Sequence, residues 1–167
     1  MKTENQSSTE RNGRRILIVG GVAGGASCAA RLRRLDENAR ITIFDKGPFV
    51  SFANCGLPYH VGGVIPDESS LILATPQLFQ KRFGIDVRTR HEVVSIDRER
   101  KALRVRNLEE GTEAEEIYDA LVLSPGAVPL SPPIPGLSLP GVFTVRTIPD
   151  TRVIRAWISE HSAKRAV

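Results

Sequence analysis

The chain has 167 residues, 41% hydrophobic and 25% charged, which is the size and make-up of one globular domain. Its 23 Lys and Arg interleave with 19 Asp and Glu for a net charge of +4, and its few aromatic residues are scattered, so a nucleic-acid footprint or base-stacking platform is not expected. Two cysteines provide neither a disulfide framework nor paired CxxC zinc spacing, which points to a reducing, cytoplasmic setting.

Residues 1–13 are polar and lack the apolar stretch of a signal peptide, so they are expected to form a disordered leader. No later run approaches the ~18 apolar residues of a membrane span, and no membrane partner is expected. From Ile16 the pattern changes. Ile16-Leu17-Ile18-Val19 is a continuous apolar run of the kind that forms a strand buried on both faces of a parallel sheet. It runs into Gly20-Gly21-Val22-Ala23-Gly24-Gly25, after which residues 26–35 have helical composition and spacing. On that helix Cys28, Leu32 and Leu35 share an apolar face, and Ser27, Arg31 and Arg34 a neighbouring polar one. A turn at 36–39 leads to a second strand, 41–44, ending at Asp45, which completes a βαβ unit.

Asn54 is placed to cap a short helix that closes at Gly62-Gly63. Thr75, Pro76 and Gly84 supply cap, first-turn proline and terminating glycine for a helix over 77–83. Alternating stretches at 85–90, 92–97 and 102–108 predict strands, and 109–116 reads as an acidic turn. Residues 118–124 form another buried apolar strand ending at Pro125-Gly126. Five prolines at 129, 132, 133, 135 and 140 make a stiff, extended surface connector. Residues 142–144 are expected to form a short strand, Pro149-Asp150 to start a helix through 160, and 164–167 to begin another strand. The fold class expected is α/β, a Rossmann-like domain with a central parallel sheet and an antiparallel β-meander excursion, in truncated form.

Glycines between a buried strand and a helix allow a tight turn and the close approach of a pyrophosphate, to which the helix N-terminus presents its N–H groups. Gly20 and Gly25 stand at the first and third positions of GxGxxG, with Val22 at the middle one. Asp45, ending the second strand, is placed to accept from adenosine ribose hydroxyls and to reject a 2′-phosphate by charge. The other possibility is a turn that only packs helix on sheet; with strand, glycines, helix and acid in register, dinucleotide binding is favoured, and FAD and NAD are not separated. At Cys55 a helix N-terminus and an Asn cap favour the thiolate, the reactive form. His60, not a cysteine, lies one helical turn on, so Cys55 acts alone or with an external thiol; a buried small residue in a loop is the competing reading. Cys28, on its helix's apolar face, is read as inert core. The arginine-bearing polar face is either solvated or holds an anionic substrate. His60, His91 and His161 have no metal-like spacing.

The segment Ser51-Phe52-Ala53-Asn54-Cys55-Gly56-Leu57-Pro58-Tyr59, together with Val19-Gly20-Gly21-Val22-Ala23-Gly24-Gly25, closely resembles the single-cysteine branch of the FAD-dependent pyridine nucleotide-disulfide oxidoreductases. That branch comprises coenzyme A disulfide reductases, the most similar, with NADH oxidases and peroxidases. The resemblance runs over nearly all of residues 16–167. It implies that Gly20, Gly21, Val22, Ala23, Gly24, Asp45, Val93, Ser124, Pro125 and Gly126 hold FAD, with Cys55 as catalytic residue beside the isoalloxazine ring. It implies further that Ser27, Arg31, Arg34, Ser51 and Asn54 contact coenzyme A, which displaces the solvated-face reading. Phe83 stands where the family has a lysine contact, and Ala23 where oxidases and peroxidases carry a histidine. The implied activity is reduction of coenzyme A disulfide, or of a related persulfide or polysulfide. The alternatives are a non-catalytic FAD-binding fragment and part of an NADH oxidase or peroxidase.

The domains expected are a leader at 1–13, the N-terminal part of an FAD-binding domain at 14–128, the proline-rich connector at 129–141, and a connecting strand and helix at 142–167. Family members continue into an NAD(P)H-binding domain and a homodimerisation domain, and the chain is expected to be an incomplete piece without them.

Overall fold

The computed structural model describes residues 13–167, so all but the last residue of the leader predicted at 1–13 lies outside the described residues. Four parallel strands form the central sheet in the order β3-β2-β1-β7, with β1 Arg15–Val19, β2 Arg40–Asp45, β3 Asp86–Thr89 and β7 Ala120–Leu123. Ile16 and Ile18 of β1 register with Ile41 and Ile43 of β2, and Ile18 also with Val122 of β7. The β-branched run expected of a sheet covered on both faces therefore lies at its centre, where Ile18 and Ile43 are fully buried.

Helix α1, Gly24–Leu35, covers one face. Its buried stripe is Gly25, Ala26 and Ala29, with Leu32 packed alongside. The expected face through Cys28 and Leu35 is displaced: Cys28 is half-buried and Leu35 is exposed. Small residues face the sheet because the helix approaches it closely, which no hydrophobic period announces. Helix α3, Pro76–Phe83, follows its signals, with the Thr75 hydroxyl accepting from Leu78 N–H and Gly84 left-handed at φ 57°.

A second sheet is the antiparallel meander of β4 His91–Asp97, β5 Ala102–Asn107 and β6 Glu113–Ile117. Strand β6 lies where an acidic turn was expected. Its glutamates are stable in a strand because arginines neutralise them: Arg106 meets Glu113 directly across the ladder at 2.7 Å, where opposite charges stabilise pairing, and Arg100, from the turn between β4 and β5, reaches Glu115 at 2.8 Å. The sheets join through Leu17, Phe44, Leu103, Val105 and Tyr118. Arg88 of β3 reinforces the junction, lying over the Phe44 ring and pairing with Glu116 at 2.5 Å. Burial pulls its pKa down, but the Asp86 and Glu116 carboxylates outweigh burial and hold it above the usual arginine value.

Three other expectations are corrected. Strand β7 is shorter than 118–124 and only half-buried, with Leu123 at 57% exposure, because among the described residues no strand pairs with its outer edge. Neither 142–144 nor 164–167 is a strand. The connector is exposed from 125 to 145 and leads to α4, Ile148–Glu160. That helix starts with a capping box in which Thr147 and Asp150 satisfy each other's backbone N–H. It lies against α2, Leu57–Val61, with the Arg155 guanidinium donating to His60 O at 2.5 Å. Arg152 pairs with Glu68 at 2.6 Å. No helix among the described residues is long and apolar enough to cross a membrane.

Two expected outcomes follow from these contacts. A Cβ on Gly25 would lie 1.8 Å from Gly20 O, whereas one on Gly24 would lie 3.2 Å from a movable hydroxyl. Gly25→Ala should therefore cost about 3 kcal/mol and Gly24→Ala less than about 1 kcal/mol, read from urea unfolding. The hydrogen bond from Arg152, with its charge, holds the Glu68 carboxyl below its ordinary value of 4.5. A lowered folded-state pKa contributes stability above the unfolded value, lost as pH falls through the folded one. The difference in Tm between wild type and Glu68→Gln should thus be present at neutral pH, reflect at most about 1 kcal/mol for so exposed a pair, and vanish in acid.

Candidate functional site

The C-terminal ends of β1, β2 and β7 converge on the turn before α1, the edge where open α/β sheets bind ligands. Gly20 takes φ 90° and donates to Phe44 O at 2.8 Å, while Ser124 N–H donates to Val19 O at 2.8 Å. A Cβ on Gly20 would lie 2.0 Å from Ser124 O, so the two turns touch backbone to backbone. The Asp45 carboxylate accepts from Gly21 N–H at 2.7 Å and from Gly47 N–H at 2.8 Å. Each carboxylate oxygen keeps further acceptor capacity. It opens into a cleft of ≈ 180 Å³ lined by Gly20, Asp45, Lys46, Glu92, Val93 and Pro125 among others. Of the predicted residues, Gly20, Asp45, Val93 and Pro125 thus share one cleft, and Gly24 faces Ser124 Oγ beside it. Helix α1 has no side-chain cap and no acidic residue in its first turn, which leaves its first N–H groups available for an anion.

On the other side of the same turn lies a groove of ≈ 350 Å³ between α1 and α3, lined by Val22, Ala23, Ser27, Ser51, Phe79 and Phe83 among others. Ser51 is left-handed at φ 48° and tied on both sides. Its N–H donates to Gly21 O at 2.9 Å, and its carbonyl accepts from Leu73 N–H at 2.8 Å. The polar face of α1 divides: Ser27 lines the groove, while Arg31 and Arg34 are exposed, outside its lining and without a salt bridge among the described residues. Between them in sequence, Arg33 turns inward, donating to Phe83 O at 2.7 Å and Ala39 O at 2.7 Å, and is a structural strut.

Cys55 is a free, exposed thiol in the middle of a 3₁₀ turn, Asn54–Gly56, that continues into α2. Asn54 is not the expected cap. It is the first residue of the turn, Ala53 holds the cap position, and neither helix start has a side-chain cap. The Asn54 amide, oriented so that both its atoms are satisfied, donates to Phe52 O at 3.0 Å and accepts from Arg146 Nη1 at 2.8 Å. His60, His91 and His161 each place Nδ1 on a nearby backbone carbonyl, of Ile65, Thr89 and Trp157 respectively. Since a carbonyl only accepts, each Nδ1 carries the proton.

The motif reading missed Lys46 and Glu92 in the cleft. Both adjoin singled-out residues, Asp45 and Val93, so proximity in sequence was their only signal. Arg146 was missed because its partners are 19 and 92 positions away.

The family described as pyridine nucleotide-disulphide oxidoreductase matches residues 14–167. The coenzyme A disulfide reductase of Staphylococcus haemolyticus is 42% identical over 154 residues, covering 92% of this chain and 34% of that protein. Among solved structures, reduced Bacillus anthracis CoADR-RHD superposes with a TM-score of 0.87 at 48% identity, over 90% of this chain and 27% of that one. A NAD-dependent persulfide reductase from A. fulgidus gives 0.82 at 36% identity, over 87% of this chain and 28% of that one. The chain thus spans about a third of the length of the curated relatives it matches.

Asp45→Asn would turn one accepting oxygen into a donor facing a backbone N–H. It should lower stability by about 1–3 kcal/mol, measured by urea unfolding, with Asp45→Ala close behind.

Proposed function

We propose that this chain, which belongs to the pyridine nucleotide-disulphide oxidoreductase family, is the N-terminal part of an FAD-dependent, NAD(P)H-linked oxidoreductase. It reduces coenzyme A disulfide, or a related persulfide or polysulfide, through Cys55. In this reading 14–128 belongs to the flavin-binding domain, 129–141 is the connector, and 142–167 leads through α4 toward the domain that binds NAD(P)H in family members.

One observation carries the proposal: a single turn, 20–24, separates a cleft holding the Asp45 carboxylate from a groove holding Ser27 and Ser51. The residues present fit FAD. Asp45 keeps acceptor capacity for ribose hydroxyls, and the uncapped first turn of α1 beside Ser124 suits a pyrophosphate. Gly20, Gly21, Val22, Ala23, Gly24, Asp45, Val93, Ser124, Pro125 and Gly126 would hold it. FAD, when bound, supplies the electron pair that returns an oxidised Cys55 to its thiol form.

On the groove side, Ser27, Ser51 and Asn54 offer polar contacts, and Arg31 and Arg34 offer phosphate-binding forks from the exposed rim. The Cys55 thiolate attacks one sulfur of the disulfide. The new bond joins Cys55 Sγ to coenzyme A, the substrate S–S bond breaks, and the second coenzyme A leaves as a thiolate that takes a proton from solvent. Ala23 presents only a methyl group to the groove, which supports disulfide chemistry over an oxidase or peroxidase reaction needing a proton-transfer group there.

Incubation with coenzyme A disulfide followed by intact-mass analysis tests the reading. Wild type and Cys28→Ser should gain one coenzyme A, and Cys55→Ser none. Equal modification of both cysteines would overturn the assignment to Cys55.

A further inference from the structure

Four contacts meet at Arg146, a residue no motif contains. Its backbone N–H donates to Asp150 Oδ2 at 2.9 Å, next to the Thr147 N–H bond to the same oxygen at 2.7 Å. The start of its side chain is therefore fixed by the capping box of α4. From there Nε donates to Ala127 O at 2.9 Å, and Nη1 donates to Asn54 Oδ1 at 2.8 Å. Nη2 lies across Gly126, 2.8 Å from where a Cβ would stand, so the fork occupies the space that a side chain at 126 would enter. One guanidinium thus spans two loops distant in sequence: the turn at 124–127 beside the cleft, and the turn that presents Cys55.

The bond to Asn54 reaches Cys55 through the chain. Asn54 is the residue before the thiol and donates its amide to Phe52 O, while Gly56 N–H closes the same turn on Ala53 O at 3.0 Å. Without Arg146 the amide oxygen loses its partner, and the hydrogen bonds left to this turn, Gly56 N–H to Ala53 O, Leu57 N–H to Asn54 O and Ala53 N–H to Leu71 O, all stay within 53–71. We propose that Arg146 is the positioning residue for Cys55, holding the thiol-bearing turn at a set distance from the 124–127 turn. The proposal rests on the reading of Cys55 as the nucleophile. A planar fork is required, because an ammonium reaches one acceptor at a time where the guanidinium bridges two.

Arg146→Lys and Asn54→Ala in the full chain test this. The first keeps the cation and the α4 cap while losing the bridge; the second breaks the bridge without touching Arg146 or α4. Hydrogen exchange over 52–57 should rise at least about tenfold in both, with β1 and β2 keeping wild-type protection. The double variant should be no worse than Asn54→Ala alone, because without the Asn54 amide Arg146 has no link to the thiol-bearing turn left to lose. The rate of mixed-disulfide formation at Cys55, measured at alkaline pH where the thiolate predominates in every variant, should fall about tenfold in Arg146→Lys. Wild-type protection over 52–57 in Arg146→Lys, or a rise shared equally by β1 and β2, would overturn the proposal. If wild-type Cys55 forms no mixed disulfide, the nucleophile reading fails instead, and the exchange measurement alone decides whether Arg146 fixes the turn.

Discussion

The contact on which the site depends is one between backbones. Gly20, Gly25 and the carbonyl of Ser124 approach so closely that a single methyl group at either glycine would collide with main-chain atoms. This approach seats the first turn of α1 against the ends of β1 and β7, and it brings Asp45 at the end of β2 to the Gly21 N–H. Packing of this kind cannot be relaxed by choosing another rotamer, since neither partner is a side chain. It also explains why the buried stripe of α1 consists of glycine and alanine rather than leucine.

What was legible in the sequence follows the same physics. The β1 run, the glycine turn, Asp45 and the caps of α3 each have a local cause: burial on both faces, conformational freedom, a strand end, a hydroxyl three residues before a free N–H. Strand β6 was illegible because its cause is not local. Glu113 and Glu115 read as a solvated turn until Arg106 stands opposite the first and Arg100 reaches the second from the β4–β5 turn. Asn54 misled for the reverse reason, having the right residue type for a cap while its amide is engaged by Phe52 and by Arg146, 92 positions away. The exposed outer edge of β7 equally has no local signature, since Tyr118-Asp119-Ala120-Leu121-Val122-Leu123 is as apolar as a fully paired strand.

The two sides of the site are therefore fixed by different means. On the cleft side the geometry is set by main-chain contact and by a carboxylate holding two amides. On the thiol side, side chains take a larger part: the amide of Asn54 and the fork of Arg146. Cys55 is exposed, so the dense packing that holds the cleft is not what orders its turn. Long-range hydrogen bonds from a residue anchored elsewhere achieve order without burial, at the expense of depending on a few atoms.

Helix α4 takes its place in this division. Its apolar stripe through Ile148 and Ile154 packs inward, with Ile148 in a cluster containing Phe52 and Leu57 from either side of the Cys55 turn. Its first turn holds Arg146, and its later arginines hold Glu68 and His60 O. All three contacts act on the segment 52–72 that contains Cys55, and only the first also reaches the 124–127 turn. A shift of α4 would disturb the thiol-bearing segment through any of them, and through Arg146 it would act on the 124–127 turn at the same time, so that of the three contacts the guanidinium alone touches both sides of the site.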